Sequence, residues 1–295
     1  MTWLTERPQE RPGDRLRALL DAGGTLAVPG VFNGLTALLA ARAGAPALYL
    51  SGAAFSAGMG LPDIGLLTRE DLVRVVTSIV RVTATPVMVD ADTGFGGPLD
   101  VMRTVRELED AGAAAVQIED QLDPKRCGHL EGKRVSDLDP MLDKLRAALA
   151  ARRSTLVVAR TDARATHGFD EAVRRGRPFR DTGADVVFPE ALETEDEFAA
   201  YASAVPGPLL ANMTEFGKSP ALDVARLREL GYALVIFPVS AARVAARQVR
   251  AFYEELLREG TQTAWLDRML TREELYELIG YGDYAELDRS FSREP

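Results

Sequence analysis

The sequence predicts an α/β fold, a (β/α)8 barrel of the TIM type followed by a C-terminal helical extension. Three observations carry this expectation. Eight short apolar runs recur at intervals of roughly 20 to 40 residues, and their near-continuous hydrophobicity is the pattern of strands buried on both faces of a parallel sheet. The segments between them carry a helical period. Several of these segments end in a glycine directly before the next run, at Gly44, Gly112, Gly183 and Gly231, where a residue that tolerates positive φ suits a helix stop. The 295 residues lie within the usual size of one barrel, and length alone allows one or two domains; a doubly wound open sheet is the alternative if the strand count differs by one or two.

The runs begin at Leu26, Ala47, Val87, Ala115, Leu156, Val186, Leu209 and Leu234. Between the second and third, Thr68-Arg-Glu-Asp71 fits a capping box, after which Leu72, Val75, Val76, Ile79 and Val80 share one helical face. Leu138, Met141, Leu142, Leu145 and Leu149 make a second stripe. After the eighth run a long helical pattern spans Ala241 to Arg258, then Thr261-Gln-Thr and further helix reach Ser290. No low-complexity linker interrupts the chain, so residues 1–295 are expected to form one domain, with 260–295 as the extension.

Composition narrows the function. A formal charge of −9 works against a nucleic-acid partner, which needs a basic face. No stretch approaches the roughly 18 uninterrupted apolar residues of a membrane span, and the charged amino terminus lacks the apolar core of a secretory signal. A cytoplasmic location is the default expectation. Cys127 is the single cysteine, so no intrachain disulfide forms, and a lone cysteine of this kind is by default a small buried hydrophobe.

Active sites of such barrels lie at the C-terminal ends of the strands, and there the residues turn polar. Tyr49, Ser51 and Gly52 follow the second run, Asp90 and Asp92 the third, and Glu119 and Asp120 the fourth. Arg160 and Asp162 follow the fifth, Glu190 the sixth, Asn212 and Thr214 the seventh, and Ser240 and Arg243 the eighth. Helix caps account for one or two of these, not for a whole rim. Asp90 and Asp92 point to the same side of a strand and Glu119 can approach from its neighbour. Three crowded carboxylates repel unless a cation lies between them, and oxygen ligands favour Mg²⁺, with Mn²⁺ also accepted. The glycines of Thr93-Gly-Phe-Gly-Gly97 lack the rest of a phosphate-binding motif and read as loop flexibility.

Residues 120–137 form a long segment without regular pattern, the mark of a lid. It carries Lys125-Arg-Cys-Gly-His129, where cationic neighbours and a histidine are expected to tune the thiol. At this point the chain resembles the isocitrate lyase superfamily. Lys125-Arg-Cys-Gly-His129 is similar to that family's signature and Val89-Asp-Ala-Asp-Thr-Gly-Phe-Gly96 to its metal loop. Gly60-Leu-Pro-Asp-Ile-Gly65, Ile118-Glu-Asp-Gln121, Ala159-Arg-Thr-Asp-Ala163, Phe188-Pro-Glu-Ala191 and Ala211-Asn-Met-Thr-Glu-Phe-Gly217 match in order, as do Gly260-Thr-Gln and Thr271-Arg-Glu-Glu-Leu-Tyr276. Carboxyphosphonoenolpyruvate mutases share the Cys-Gly-His loop. Asn212 to Gly217 and Thr271-Arg272 resemble instead the bacterial 2-methylisocitrate lyases.

The resemblance implies cleavage of a tricarboxylate, 2-methylisocitrate, into pyruvate and succinate during propionate catabolism through the methylcitrate cycle. It implies Mg²⁺ on Asp90, Asp92 and Glu119, with Ser51, Gly52, Ala53 and Arg160 fixing the pyruvate half. His129, Glu190, Asn212, Met213, Thr214, Arg243 and Arg272 would surround the other half, with Gly128 beside them. Cys127 would protonate carbon, and Tyr49 and Asp63 are the candidate bases for the substrate hydroxyl. Phe188 and Ile236 are expected to line the space for the methyl group. The same resemblance implies a homotetramer, a dimer of helix-swapped dimers.

Overall fold

The computed structural model describes residues 2–5 and 10–292. Every apolar run forms a strand: β1 (Leu26–Val31), β2 (Leu48–Leu50), β3 (Val87–Asp90), β4 (Ala115–Glu119), β5 (Leu156–Thr161), β6 (Val186–Pro189), β7 (Leu210–Asn212) and β8 (Leu234–Phe237). All neighbours pair in parallel, in the order β6-β5-β4-β3-β2-β1-β8-β7. A parallel bridge between Val187 and Leu209 brings β6 to β7. The sheet therefore curls into a barrel and is not an open doubly wound sheet.

Side chains alternate across a strand, and here both sets are buried. Val28, Tyr49, Met88, Val158, Phe188 and Ile236 belong to the cluster inside the barrel, and Leu16 of α1 (Pro12–Asp21) joins it at the end where the strands begin. The outward set, including Leu50, Val89, Val116, Val157 and Val235, packs beneath the helices. Filling the lower interior with apolar groups leaves the C-terminal mouth as the place where polar side chains gather.

The helical layer consists of α2 (Gly34–Arg42), α3 (Gly52–Gly58), α4 (Arg69–Val80), α5 (Pro98–Asp110), α6 (Leu138–Ala151), α7 (Ala163–His167), α8 (Phe169–Thr182), α9 (Glu195–Ala204) and α10 (Val224–Glu229). The capping box at α4 forms as its sequence predicts, with Thr68 and Asp71 exchanging side-chain and backbone hydrogen bonds. Gly112, after α5, sits at φ 100°, and a Cβ there would lie 2.7 Å from Val80 Cγ1. That glycine serves both the helix stop and the approach of α4. The short helices α3 and α7 sit in the loops at the mouth of the barrel, and at 7 and 5 residues they carry too little periodicity to be read from sequence.

Helix α11 (Ser240–Glu259) is amphipathic yet buries no residue, and Val249, Tyr253 and Leu257, which share one side of it, are exposed. A 3-10 turn (Thr263–Arg268) follows, with Trp265 donating to Glu255 Oε2 at 2.7 Å, then α12 (Arg272–Leu278) and α13 (Tyr281–Phe291). In the single chain this extension folds back on its own barrel, where Arg42 of α2 reaches Glu277. Among the described residues no helix is long and apolar enough to cross a membrane.

Candidate active site

A cavity of about 290 Å³ opens at the C-terminal mouth of the barrel. Tyr49, Ser51, Ala53, Asp63 and Asp90 line one side, and Cys127, Gly128 and His129 of the 120–137 segment cover it. Arg160, Glu190, Asn212, Thr214 and Arg243 line the opposite side, and Phe188, Ile236 and Pro238 supply an apolar wall. Most of the residues singled out in the sequence are thus brought together from seven strands.

The acidic floor is held by donors from neighbouring strands. Asp90 accepts from the Gly52 N–H at 3.3 Å, the Asp92 N–H at 3.3 Å and Gln117 Nε2 at 2.9 Å. Lys125 reaches back from the lid, with its Nζ 2.7 Å from Asp92 Oδ1 and also paired with Asp63. Burial works to depress the Lys125 ammonium, but Asp92, Glu119, Asp90 and Asp63 outweigh it and hold the charge in place. One ammonium does not satisfy so many carboxylates. Burial, helped by Asp90 and Asp63 against Lys125, raises Asp92 to about 7, and burial together with Asp162 and Asp90 pushes Glu119 well above the carboxylate range despite Arg160.

These residues fit a hard divalent cation. Glu119 Oε1 is buried without a hydrogen-bond partner, and Asp92 Oδ1 has only the ion pair to Lys125, without hydrogen-bonding geometry. Among the described residues no three acidic, cysteine or histidine side chains already converge as ligands, since Lys125 engages Asp92 and Arg160 engages Glu119. Asp92 also adopts φ 49°, a left-handed backbone that costs energy in a non-glycine residue and collects at functional sites. Asp92 and Glu119 lie just behind the cavity wall.

The 120–137 segment is ordered by its own hydrogen bonds. Gln121 and Val135 form an antiparallel bridge, and the Gln121 side chain exchanges bonds with the backbone of Arg126 at 2.8 and 2.9 Å. Lys133 ties the turn from behind by donating to the carbonyls of Gly128 and Leu130. The segment is docked onto the site: the His129 ring accepts from the Lys218 N–H at Nδ1, 3.0 Å, so its proton resides on Nε2, 3.1 Å from Glu190 Oε1. Cys127 is not made more acidic by Lys125 and Arg126, its cationic neighbours in sequence: burial raises its thiol and Asp63 and Glu190 add to this, while the His129 backbone N–H and the more distant Arg160 oppose it.

Opposite the thiol, Arg160 forks onto Asp162 at 2.9 and 3.1 Å and also meets Glu119 and Glu190, each at 3.3 Å. Burial alone would raise Glu190, but Arg160, His129 and Asn212 hold it at about 2. An ionised Glu190 accepts hydrogen bonds and cannot hold an anion itself, so it orders the donors His129, Asn212 and Arg160. Arg243 donates to Thr214 Oγ1 at 3.1 Å.

Other residues named from the sequence lie outside the cavity wall. Gly52 begins α3 and meets Asp90 through its backbone, while the Met213 side chain packs in the layer beneath the helices. Arg272 is exposed at the start of α12 and is not among the cavity-lining residues of its own chain. Gln117 and Arg175 are not singled out by the sequence, and Lys125, which the lid motif includes, turns out to pair with Asp63 and Asp92. Gln117 carried a signal, as the one amide inside an otherwise apolar strand. Arg175, which pairs with Asp120 at 2.9 Å, lies within a helix and had none.

The sequence profile of the phosphoenolpyruvate phosphomutase family matches residues 16–257. The chain belongs to that family. Among its relatives in the family, a 2-methylisocitrate lyase of Aeropyrum pernix is 50% identical over 294 residues, covering 100% of this chain and 96% of the relative. One of Bacillus subtilis is 44% identical, covering 99% and 98%. The crystal structure of a 2,3-dimethylmalate lyase superposes with a TM-score of 0.91 at 38% identity, covering 96% of both chains. A phosphonopyruvate hydrolase in complex with oxalate and Mg²⁺ superposes at 0.87 with 30% identity, covering 96% and 99%.

Proposed function

We propose that this chain is a carbon–carbon lyase that splits 2-methylisocitrate into pyruvate and succinate, with Mg²⁺ as cofactor. The observation that carries the proposal is the placement of the Cys127 thiol, over a floor of carboxylates on one side and facing an ordered set of cationic and amide donors on the other. The full-length likeness to 2-methylisocitrate lyases supports the choice of substrate. Asp90, Asp92 and Glu119 would hold Mg²⁺, directly or through water, and the ion would supply Lewis-acid polarisation of the substrate's hydroxy-carboxylate.

The chain's own residues do the rest. The start of α3 at Ser51, Gly52 and Ala53, with Arg160, fixes the pyruvate half. Asp63 takes the proton of the 2-hydroxyl, and Lys125, paired with it, holds its carboxylate in place. As the C2–C3 bond breaks, its electron pair passes into the departing succinate half as an enediolate. His129, Asn212, Thr214 and Arg243 face that half as preorganised donors. The Cys127 thiol, kept protonated by burial, delivers its proton to C3 and remains in place as the thiolate. The docked lid excludes water that would otherwise quench the carbanion. Phe188 and Ile236 bound the methyl group, a contact worth only about 1–3 kcal/mol in discrimination.

The exposed apolar face of α11 and the extension beyond it support assembly as a homotetramer, with Arg272 reaching a neighbour's site, in the cytoplasm. Turnover is tested by following substrate loss and product formation by NMR across 2-methylisocitrate, isocitrate, 2,3-dimethylmalate and oxaloacetate, with and without EDTA. The proposal expects the highest kcat/KM on 2-methylisocitrate, lost on chelation and restored by Mg²⁺ or Mn²⁺. A higher kcat/KM on another of these acids overturns the substrate, and silence on all of them overturns the lyase.

A further inference from the structure

Gln117 lies inside β4, between two groups that face the cavity. Its Nε2 is 2.9 Å from Asp90 Oδ1 and its Oε1 is 2.7 Å from the Tyr49 hydroxyl. The direction of both bonds is forced. Asp90 meets only N–H donors at this point, from Gly52, Asp92 and Gln117, so its oxygens are acceptors and the amide must turn its NH₂ toward them. The amide oxygen then faces Tyr49 and can only accept. It follows that the phenol hydrogen points at Gln117. A phenol O–H lies in the ring plane, so the free lone pair of the oxygen is directed away from Gln117, and Tyr49 is one of the residues that line the cavity.

We propose that Gln117 is a positioning residue that fixes Tyr49 as a hydrogen-bond acceptor toward the cavity, where the phenol oxygen receives a bond from the substrate hydroxyl as the substrate binds and orients it until the proton passes to Asp63. Tyr49 is thereby removed as the base, because its own proton has no route through an amide. This deepens, and rests on, the reading of the cavity as a lyase site. Gln117 is fully covered, touches no substrate and acts through its two neighbours.

Two measurements test it. Neutron diffraction on the perdeuterated full-length protein locates the deuteron of Tyr49 directly. The proposal requires it between Tyr49 Oη and Gln117 Oε1, and a deuteron directed into the cavity overturns it whatever the substrate proves to be. Steady-state kinetics on 2-methylisocitrate with Gln117→Met, Tyr49→Phe and the double variant test the consequence. Each single change should lower kcat about ten- to a hundredfold, the scale of one lost oriented hydrogen bond, with KM within about threefold. The double variant should be no slower than the slower single one. Effects that multiply, or a Gln117→Met enzyme with native kcat, overturn the positioning role. Should Gln117→Met not fold, the neutron map of the native protein still decides. A native protein that leaves 2-methylisocitrate untouched defeats the substrate assignment alone.

Discussion

Gly128 is the tightest point of the docked lid, and replacing it with alanine separates closure from chemistry. Its φ is not in the left-handed region, so the substitution adds bulk without backbone strain. The new Cβ would lie 2.5 Å from Arg160 Nη2 and 2.5 Å from Glu190 Cγ. Ordinary contact between such atoms is about 3.5 Å, so the turn must lift by about 1 Å or the Arg160–Glu190 pair must give way. That pair is buried and tied to Asp162 and Asn212 of the barrel, whereas Gly128 lies in a turn between the two lid anchors, Lys125 and His129. The lid should move. A misplacement of about 1 Å costs on the order of 100-fold in rate, so Gly128→Ala should lose about 100-fold in kcat. The melting temperature should stay close to native, because no core contact changes. Pyruvate release and differential scanning calorimetry on the same preparation provide the assay. Near-native kcat would show that the lid need not seat on Arg160 and Glu190, and an equal loss of stability would show that the segment is structural.

Cys127→Ser keeps the size of the side chain but raises the pKa of the acid by several units, so turnover should fall by orders of magnitude while pyruvate and Mg²⁺ still bind within a few-fold. Isothermal titration beside kinetics checks this, and near-native turnover would assign the proton to another lid residue. At the opposite end of the barrel, Glu109 of α5 accepts the backbone N–H groups of Arg153, Ser154 and Thr155 and is held at about 2 by those bonds against the effect of burial. Its folded-state pKa is depressed, so its contribution is present above about pH 4.5 and is lost as pH falls toward 2. The full depression corresponds to about 3 kcal/mol; the side chain is 6% exposed but caps a solvated surface turn, and screening leaves about 1–2. Glu109→Gln should therefore lower the melting temperature by a few degrees at pH 7, and the gap to native should narrow at pH 3; a gap that persists would refute the charge-based account. Finally, light scattering at micromolar concentration should give the mass of a tetramer, and Leu257→Glu on α11, at a side chain 84% exposed in the single chain, should reduce it. A monomeric mass for the native chain would leave α11 without its expected cover.

The barrel was legible because each strand is buried on both faces and so reads as an unbroken apolar run, and because the polar rim begins where the runs stop. Asp90, Glu119, Arg160, Glu190 and Asn212 could be located this way one strand at a time. Their interactions could not. Gln117 bridges Tyr49 and Asp90 across three strands, and Lys125 reaches from the lid to Asp63 and Asp92 at separations that no local spacing encodes. The surroundings of the thiol are hidden for the same reason: Arg126 is next to Cys127 in sequence, but burial first, and the distant Asp63 and Glu190 with it, raise the thiol. Met213 illustrates the remaining limit, since alternation after a three-residue strand sends its side chain under the helices while its neighbours Asn212 and Thr214 face the cavity.

The central claim is that the C2–C3 bond of 2-methylisocitrate breaks with its electrons leaving on the succinate half, which then receives one proton from the thiol. Turnover in D₂O with Mg²⁺, followed by NMR of the products, tests this directly. The account predicts succinate carrying a single deuterium and pyruvate with an unlabelled methyl group, formed in equal amounts. Deuterium appearing first in the pyruvate methyl, or succinate formed without it, would contradict the account.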